Sequence, residues 1–445
     1  VKSTTIVGPG ALVTGWSDPR VIADGAVAWQ GERVVAAGRH ADLLARFPDA
    51  ERLDAGGGLI LPGLVNLHHH FYSALARGLD PGRPLPDFRA VLEGLWWRLD
   101  RALDAETVRL SALLTLADCV RWGCTTVFDH HASPSCLAGS LDLIAEAVEE
   151  AGLSAVLCYE VSDRNGHDEA LAGLEENLDF IGRRREHPRV RGMLGLHASF
   201  TVSDETLAAA ARQRPAGAGC HVHMAEDRLD VDASRQRFGA TPMQRLGRSG
   251  LLDRDALLVH GVHLDDAELE AVVAAGATLV HNPESNANNG VGRLDLPAAA
   301  GHLCTLGLGT DGMSSAMLRA LRAAFLGLRG GDLDPTLGFA IVPDLLVTNA
   351  RVAGRALGEP RLGQLEEGAP ADLVVVDAPP PTPLDEGNLF GHLVYGASEA
   401  AVRHTIARGR LLLEDFRHTT LDPEALAREA AKVSPALWER FRGMA

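Results

Sequence analysis

Residues 61–70 (LPGLVNLHHH) end an apolar run with histidines at alternate positions, His68 and His70. On a β-strand, residues two apart point to one face, so both imidazoles can approach one cation, as a metal site requires. A second string, residues 219–226 (GCHVHMAE), holds His221, His223 and Glu226. His221 and His223 also share a strand face. The His-x-x-Glu spacing favours His223, which can bind metal while Glu226, just past the strand end, reaches a substrate as acid or base. Asp311 stands in residues 308–312 (LGTDG), where the flanking glycines let backbones approach closely. A carboxylate there can complete a three-His, one-Asp site and accept a proton from water. On its own, this stretch reads better as an Asx turn.

What makes these residues a constellation is the set of elements that must carry them. Between about residues 60 and 364, short apolar runs alternate with long amphipathic or Ala/Leu-rich stretches, the sign of βα units and a parallel sheet. Eight runs read as strands: 59–67, 125–128, 155–159, 192–196, 219–222, 257–259, 278–280 and 305–308. Eight such units predict a (β/α)8 barrel. Polar residues fall just past the strand ends: His68 and His70; Asp129, His130 and His131; Glu160; His197; His223 and Glu226; His260; His281; Asp311. That is the face on which barrel enzymes place their chemistry.

The ends of the chain have a different texture. Short β-rich runs separated by turns fill residues 1–59 and return within 365–445, after the Gly/Pro-rich passage at 368–370. One composite β-sandwich domain built from both ends is the expectation, with 60–364 forming the barrel. Pro379, Pro380 and Pro381 mark a stiff loop, and the helix-like stretch from 426 to 441 should pack on the outside.

Composition narrows the partners. The 445 residues are 46% hydrophobic and 23% charged, ordinary for a globular enzyme. A formal net charge of −17 argues against nucleic acids and anionic membranes, which would be repelled at long range. No apolar run approaches the roughly 20 residues that span a bilayer, and no signal-peptide pattern opens the chain. The expectation is a soluble cytoplasmic protein acting on a small molecule. Its six scattered cysteines, with no C-x-x-C pair, read as reduced core thiols.

With those motifs in order along the chain, the sequence resembles the amidohydrolase superfamily. The likeness is to its mononuclear-metal branch of cytosine-, guanine- and adenosine-type deaminases and triazine chlorohydrolases. It rests on residues 62–70 (PGLVNLHHH), His223 with Glu226, residues 259–264 (VHGVHL), residues 281–286 (HNPESN) and residues 309–312 (GTDG). Residues 71–78 (FYSALARG), 128–131 (FDHH) and 195–200 (GLHASF) are most similar to the SsnA-type aminohydrolases. The resemblance implies His68, His70, His223 and Asp311 as ligands of one divalent ion, zinc before iron or manganese. It implies Glu226 as proton shuttle and His260 as the hydrogen-bond partner of the attacking water or developing oxyanion. His197 would face the substrate, His281 would open a motif shaping the rim, and Ser285 and Asn286 would hold that loop. Phe71, Tyr72, Trp96 and Trp97 could stack on an aromatic ring. His130, His131 and Arg77 are further specificity candidates.

The only lysines are Lys2 and Lys432, in the terminal segments. Binuclear members bridge two metals with a carboxylated lysine on a barrel strand, so that bridge cannot form; a Glu or Cys bridge from Glu160, Cys124 or Cys158 stays open. The function implied is hydrolytic deamination of an aminated purine-, pterin- or pyrimidine-like ring by metal-activated water, with ammonia released. The rival readings keep the same site for cyclic-amide or ring-halide hydrolysis, or make the barrel a non-catalytic metal-binding scaffold. Family members often form homo-oligomers, although no interface is legible in the sequence.

Overall fold

The computed structural model describes residues 3–329 and 336–444; Lys2 lies outside them. Two parallel sheets form the centre of the molecule. One holds the strands Leu64–His69, Cys124–His131, Ser154–Tyr159 and Val190–Gly192; the other holds Leu194–Ala198, Cys220–Met224, Leu257–His260, Thr278–His281 and Thr305–Leu308. The two sheets are joined by parallel bridges between Val161 and Leu196 and between His69 and Asp311, which close the ring. The result is an eight-stranded (β/α)8 barrel whose fourth strand is interrupted at Met193, so that 190–192 pairs backwards and 194–198 forwards. The strand of residues 64–69 is buried at every position, as expected where helices cover one face and packed side chains fill the other.

The apolar run at 59–67 proves to be two strands. Leu59–Pro62 belongs to a nine-stranded sheet outside the barrel, while Leu64–His69 opens the barrel itself. Gly63 is the crossing point, and a Cβ there would lie 2.3 Å from Thr125 Oγ1. In the outer sheet Leu59–Pro62 pairs parallel to Thr4–Val13 and antiparallel to Leu373–Val376, so one short strand joins both ends of the chain. Val21–Gln30, Arg33–Arg39 and Glu51–Leu53 extend the early side, and Val402–Ala407, Arg410–Glu414 and Arg417–His418 the late side.

The wall above the barrel mouth comes from an insertion after the first barrel strand. It runs through a 3-10 turn (Phe71–Ala76), a helical turn (Phe88–Val91), one turn of π-helix (Leu92–Trp96) and the helix Trp97–Ala102. Such wide turns inside helices are rare and often sit at functional sites. The long last helix, Pro423–Gly443, braces this wall: Trp438 Nε1 donates to Leu75 O at 2.9 Å, and Arg98 donates to the carbonyls of Phe441 and Met444. Lys432 is exposed on that helix. All six cysteines are free, and among the described residues no helix is long and apolar enough to cross a membrane.

Candidate active site

Alternation along the first barrel strand sends His68 and His70 to the barrel interior and His69 to the opposite side, where its Nε2 meets Ser315 Oγ at 3.2 Å. His223 reaches the same point from the fifth strand. His70 Nε2 lies 3.2 Å from His223 Nε2 and 3.2 Å from Asp311 Oδ1, and His68 Nε2 lies 3.7 Å from that same oxygen. Ligand atoms of His68, His70 and His223 all fall within 4.8 Å of one another, as do those of His68, His260 and Asp311.

The outer contacts of each ring decide which nitrogen faces inward. His70 Nδ1 donates to His130 O at 2.6 Å and His223 Nδ1 donates to His197 O at 2.9 Å; a carbonyl only accepts, so both Nε2 atoms present lone pairs. His68 is oriented by a relay. The Cys158 thiol donates to Asp129 O at 3.6 Å and accepts from His221 Nδ1 at 3.7 Å, leaving His221 Nε2 to accept from His68 Nδ1 at 2.9 Å. His221 therefore sits behind His68, and His68 Nε2 is buried with no hydrogen-bond partner. Three converging imidazole lone pairs beside a carboxylate are the donor set of a divalent ion such as zinc.

Asp311 is held by its loop. Its backbone is left-handed (φ 55°), as are those of Ala225 (φ 48°) and His260 (φ 75°), so three non-glycine residues at the strand ends are in a costly conformation. Gly309 makes room for the loop: a Cβ there would meet Asn282 Oδ1 at 2.4 Å and His68 Cβ at 2.8 Å. The backbone N–H groups of Thr310 and Asp311 donate to His68 O at 3.1 and 3.0 Å. Burial alone would raise the Asp311 carboxyl, but His68, His70 and His260 beside it hold it well below the usual carboxylate range. Glu226 goes the other way, since burial, with Asp311 nearby, pushes its carboxyl well up and favours the protonated acid.

His260 lies between the two carboxyls, its Nε2 3.5 Å from Glu226 Oε2 and 3.9 Å from Asp311 Oδ2, while its Nδ1 donates to Asn286 Oδ1 at 2.7 Å. Ser285 Oγ donates to Asp311 Oδ2, and Asn289 Nδ2 reaches Glu226 Oε1 at 3.4 Å. The short helix Pro283–Asn289 thus does more than hold a loop: it orients His260 and both carboxyls directly.

A cavity opens over this cluster, bounded by His70, His223, Glu226 and Asp311 below and by Tyr72, Trp96 and Trp97 in the wall. His197 also lines it. The other residues singled out for substrate do not. Phe71 is core, its N–H donating to Asp129 Oδ1 at 2.7 Å. Arg77 points to solvent, its side chain 84% exposed and 3.5 Å from Asp118, because the 3-10 turn ends there and turns it away. His130 is buried against Glu160 at 3.3 Å, His131 against Ser133 at 2.8 Å, and His281 lies beneath the Asp311 loop, its carbonyl accepting from Gly309 N. Arg164, which the motifs did not reveal, lines the cavity with Glu160 and pairs with buried Asp100. Its position four residues past the third strand's terminal glutamate was the available signal.

Comparison with known proteins adds to this geometry. Residues 59–412 match the model of the amidohydrolase family. A 5-methylthioadenosine/S-adenosylhomocysteine deaminase of Desulforudis audaxviator is 32% identical over 429 residues, 93% of this chain and 95% of that protein. The Natronomonas pharaonis enzyme of the same name is 34% identical, covering 88% of this chain and 90% of its own. An adenosine deaminase structure from Xanthomonas campestris with bound zinc superposes with a TM-score of 0.85 at 26% identity, covering 99% of each chain. Atrazine chlorohydrolase from Arthrobacter aurescens with zinc, at 24% identity, 97% and 100% coverage and a TM-score of 0.80, shares the fold.

Proposed function

The chain belongs to the amidohydrolase family, and from that premise we propose that it is a metal-dependent aminohydrolase that deaminates an aminated nitrogen heterocycle. His68, His70, His223 and Asp311 would hold one divalent ion, with zinc the best match to three nitrogen donors and iron or manganese the alternatives. Such an ion lowers the pKa of water from about 15.7 toward about 7 and so supplies hydroxide at neutral pH.

The chain's own residues then manage the protons. Asp311, ionised, accepts the proton of the attacking water. Glu226, protonated and on the cavity floor, donates to the ring nitrogen next to the carbon under attack, which makes that carbon electrophilic. His260, its Nδ1–H committed to Asn286, turns its Nε2 lone pair toward Glu226 and Asp311, where it can accept a hydrogen bond from the attacking water. Asp311 returns its proton to the leaving amine, ammonia departs, and the hydroxyl proton lost as the ring carbonyl forms goes back to Glu226, which restores the starting protonation. Each positioned proton transfer is worth roughly 10²–10⁴-fold in rate.

Glu226 carries this reading: a carboxyl whose burial favours the protonated acid, at the edge of the ligand set and open to a cavity with aromatic walls. The deaminase names of relatives that match nearly the whole chain support it. The test is ammonia release by zinc-loaded protein across aminated purines, pterins, pyrimidines and triazines, with Glu226→Gln as control. Release from one ring class, abolished in the control, is the expected result. Ring opening or halide release without ammonia would overturn it.

A further inference from the structure

Across the barrel mouth from Asp311, the ends of the third and fourth strands turn two hydrogen-bond acceptors into the cavity. Glu160 and His197 both line it and are both buried, and Glu160 Oε1 lies 3.7 Å from His197 Nε2. The protonation of His197 can be read from its neighbours. Thr201 Oγ1 donates its hydrogen to Ala198 O at 3.0 Å, so at 2.6 Å from His197 Nδ1 it acts as acceptor. The His197 hydrogen is then on Nδ1, and Nε2 presents a lone pair beside the Glu160 carboxylate. Among the described residues no hydrogen bond reaches Glu160 Oε1: Arg164 Nη1, 3.8 Å away, is beyond hydrogen-bond reach, and His130 Nδ1 faces the other oxygen, Oε2, at 3.3 Å. Arg164 Nη2 donates to Asp100, its Nη1 is buried without a hydrogen-bond partner, and its guanidinium carbon lies 5.3 Å from the centroid of Trp97.

Two adjacent buried acceptors call for a donor or a cation. A second metal ion is disfavoured there by the Arg164 guanidinium, which would repel it at close range. A ring N–H has no such penalty, and the Trp97 ring, 6.0 Å from that of His197, offers a surface along which a flat heterocycle can lie.

Resting on the deaminase reading above, we infer that Glu160 and His197 form an acceptor pair that recognises a ring N–H on the substrate edge away from the amine that leaves. The substrates are then free heterocyclic bases rather than their N-alkylated or N-glycosylated counterparts. A site built to accept from a substrate N–H rejects the analogue lacking it far more strongly than an apolar pocket rejects an extra methyl, because its own acceptors stay buried and unpaired.

The experiment compares matched pairs on the metal-loaded enzyme: adenine with 9-methyladenine, guanine with 7- and 9-methylguanine, and cytosine with 1-methylcytosine. Within the reactive pair, kcat/KM for ammonia release should fall on the order of 10²-fold or more on N-methylation. In Glu160→Gln the gap should shrink, through a higher KM for the N–H ring. Equal kcat/KM within the pair in the wild-type protein overturns the inference, and that arm needs no variant to fold. Metal analysis is the second readout: one equivalent per chain in wild type and Glu160→Gln is expected, whereas two falling to one would give the acceptor pair to a cation and overturn it. If no ring releases ammonia, the deaminase reading fails instead; calorimetric binding of the same pairs then still decides the acceptor pair, with N–H-selective binding upholding it and equal binding overturning it.

Discussion

The Nε2 atoms of His70 and His223 face each other at 3.2 Å, and each ring has already given its Nδ1 hydrogen to a backbone carbonyl. Two lone pairs at that distance cannot share a hydrogen bond, so the pair is held together by the barrel and relaxed by a cation. Metal removal should therefore destabilise the fold. A ligand present at 1,000 times its Kd and bound to the folded state alone contributes about 4 kcal/mol. Calorimetric melting before and after chelation, with metal content measured on the same samples, should show a fall in Tm that is reversed by adding the ion back. An unchanged melting curve in demonstrably metal-free protein would contradict the assigned ligand set.

Asn286 touches no part of the cavity floor itself, yet its Oδ1 takes the Nδ1 hydrogen of His260. Asn286→Ala leaves that hydrogen without an acceptor and frees the ring to turn. Loss of such an outer partner typically costs about 10–100-fold in activity. The expected signature is a lower kcat with KM and metal content near wild type, and recovery in Asn286→Asp, which keeps the acceptor. Steady-state kinetics on all three proteins would show it; a variant as active as wild type would remove Asn286 from the proton machinery.

Arg164 is 8% exposed, with Asp100 (1%) and Glu160 (3%) against it. Arg164→Met would strand two buried carboxylates, a change that costs about 3–5 kcal/mol when a buried ion pair loses one partner. Asp100→Asn in the same chain removes one of the stranded charges, so the double variant should lose less than the two single variants combined. Urea unfolding of the four proteins gives the coupling directly. Strict additivity would show that Asp100 and Arg164 do not depend on each other.

The proposed ligand positions His68, His70 and His223 were legible because they sit on strands, where a period of two fixes which side chains share a face; the choice of His223 over His221 needed the His-x-x-Glu spacing as well. The split at Gly63 was not legible, since residues 59–67 read as one largely apolar run whose two halves differ in which sheet they join. Phe71 and Arg77 were misplaced for a related reason: the chain leaves the strand at His70 and enters a 3-10 turn, so the two-residue alternation no longer says which side chains meet the cavity. The pairing of Asp100 with Arg164 joins segments 64 residues apart, and no local pattern encodes such a meeting.

Far from the cavity, Asp372 precedes the strand Leu373–Val376 and is 3% exposed. Its Oδ1 accepts the Arg408 backbone N–H, but its Oδ2 is buried without a hydrogen-bond partner. Burial pushes this carboxyl up to about 6. In the unfolded chain it titrates near 3.9. Between those values the folded protein keeps a proton that the unfolded chain has lost, so the group favours folding fully below pH about 4 and loses that contribution as the pH rises through 6. Two units correspond to roughly 3 kcal/mol over the whole window, of which about 1.4 kcal/mol falls above pH 5. Asp372→Asn cannot titrate, so its stability relative to wild type should improve by about that smaller amount between pH 5 and pH 7.5, whatever the substitution costs in absolute terms. Denaturant unfolding of both proteins at the two pH values measures the difference; a constant offset would mean that Asp372 titrates at the same pH folded and unfolded, and that the orphaned Oδ2 is not what raises it.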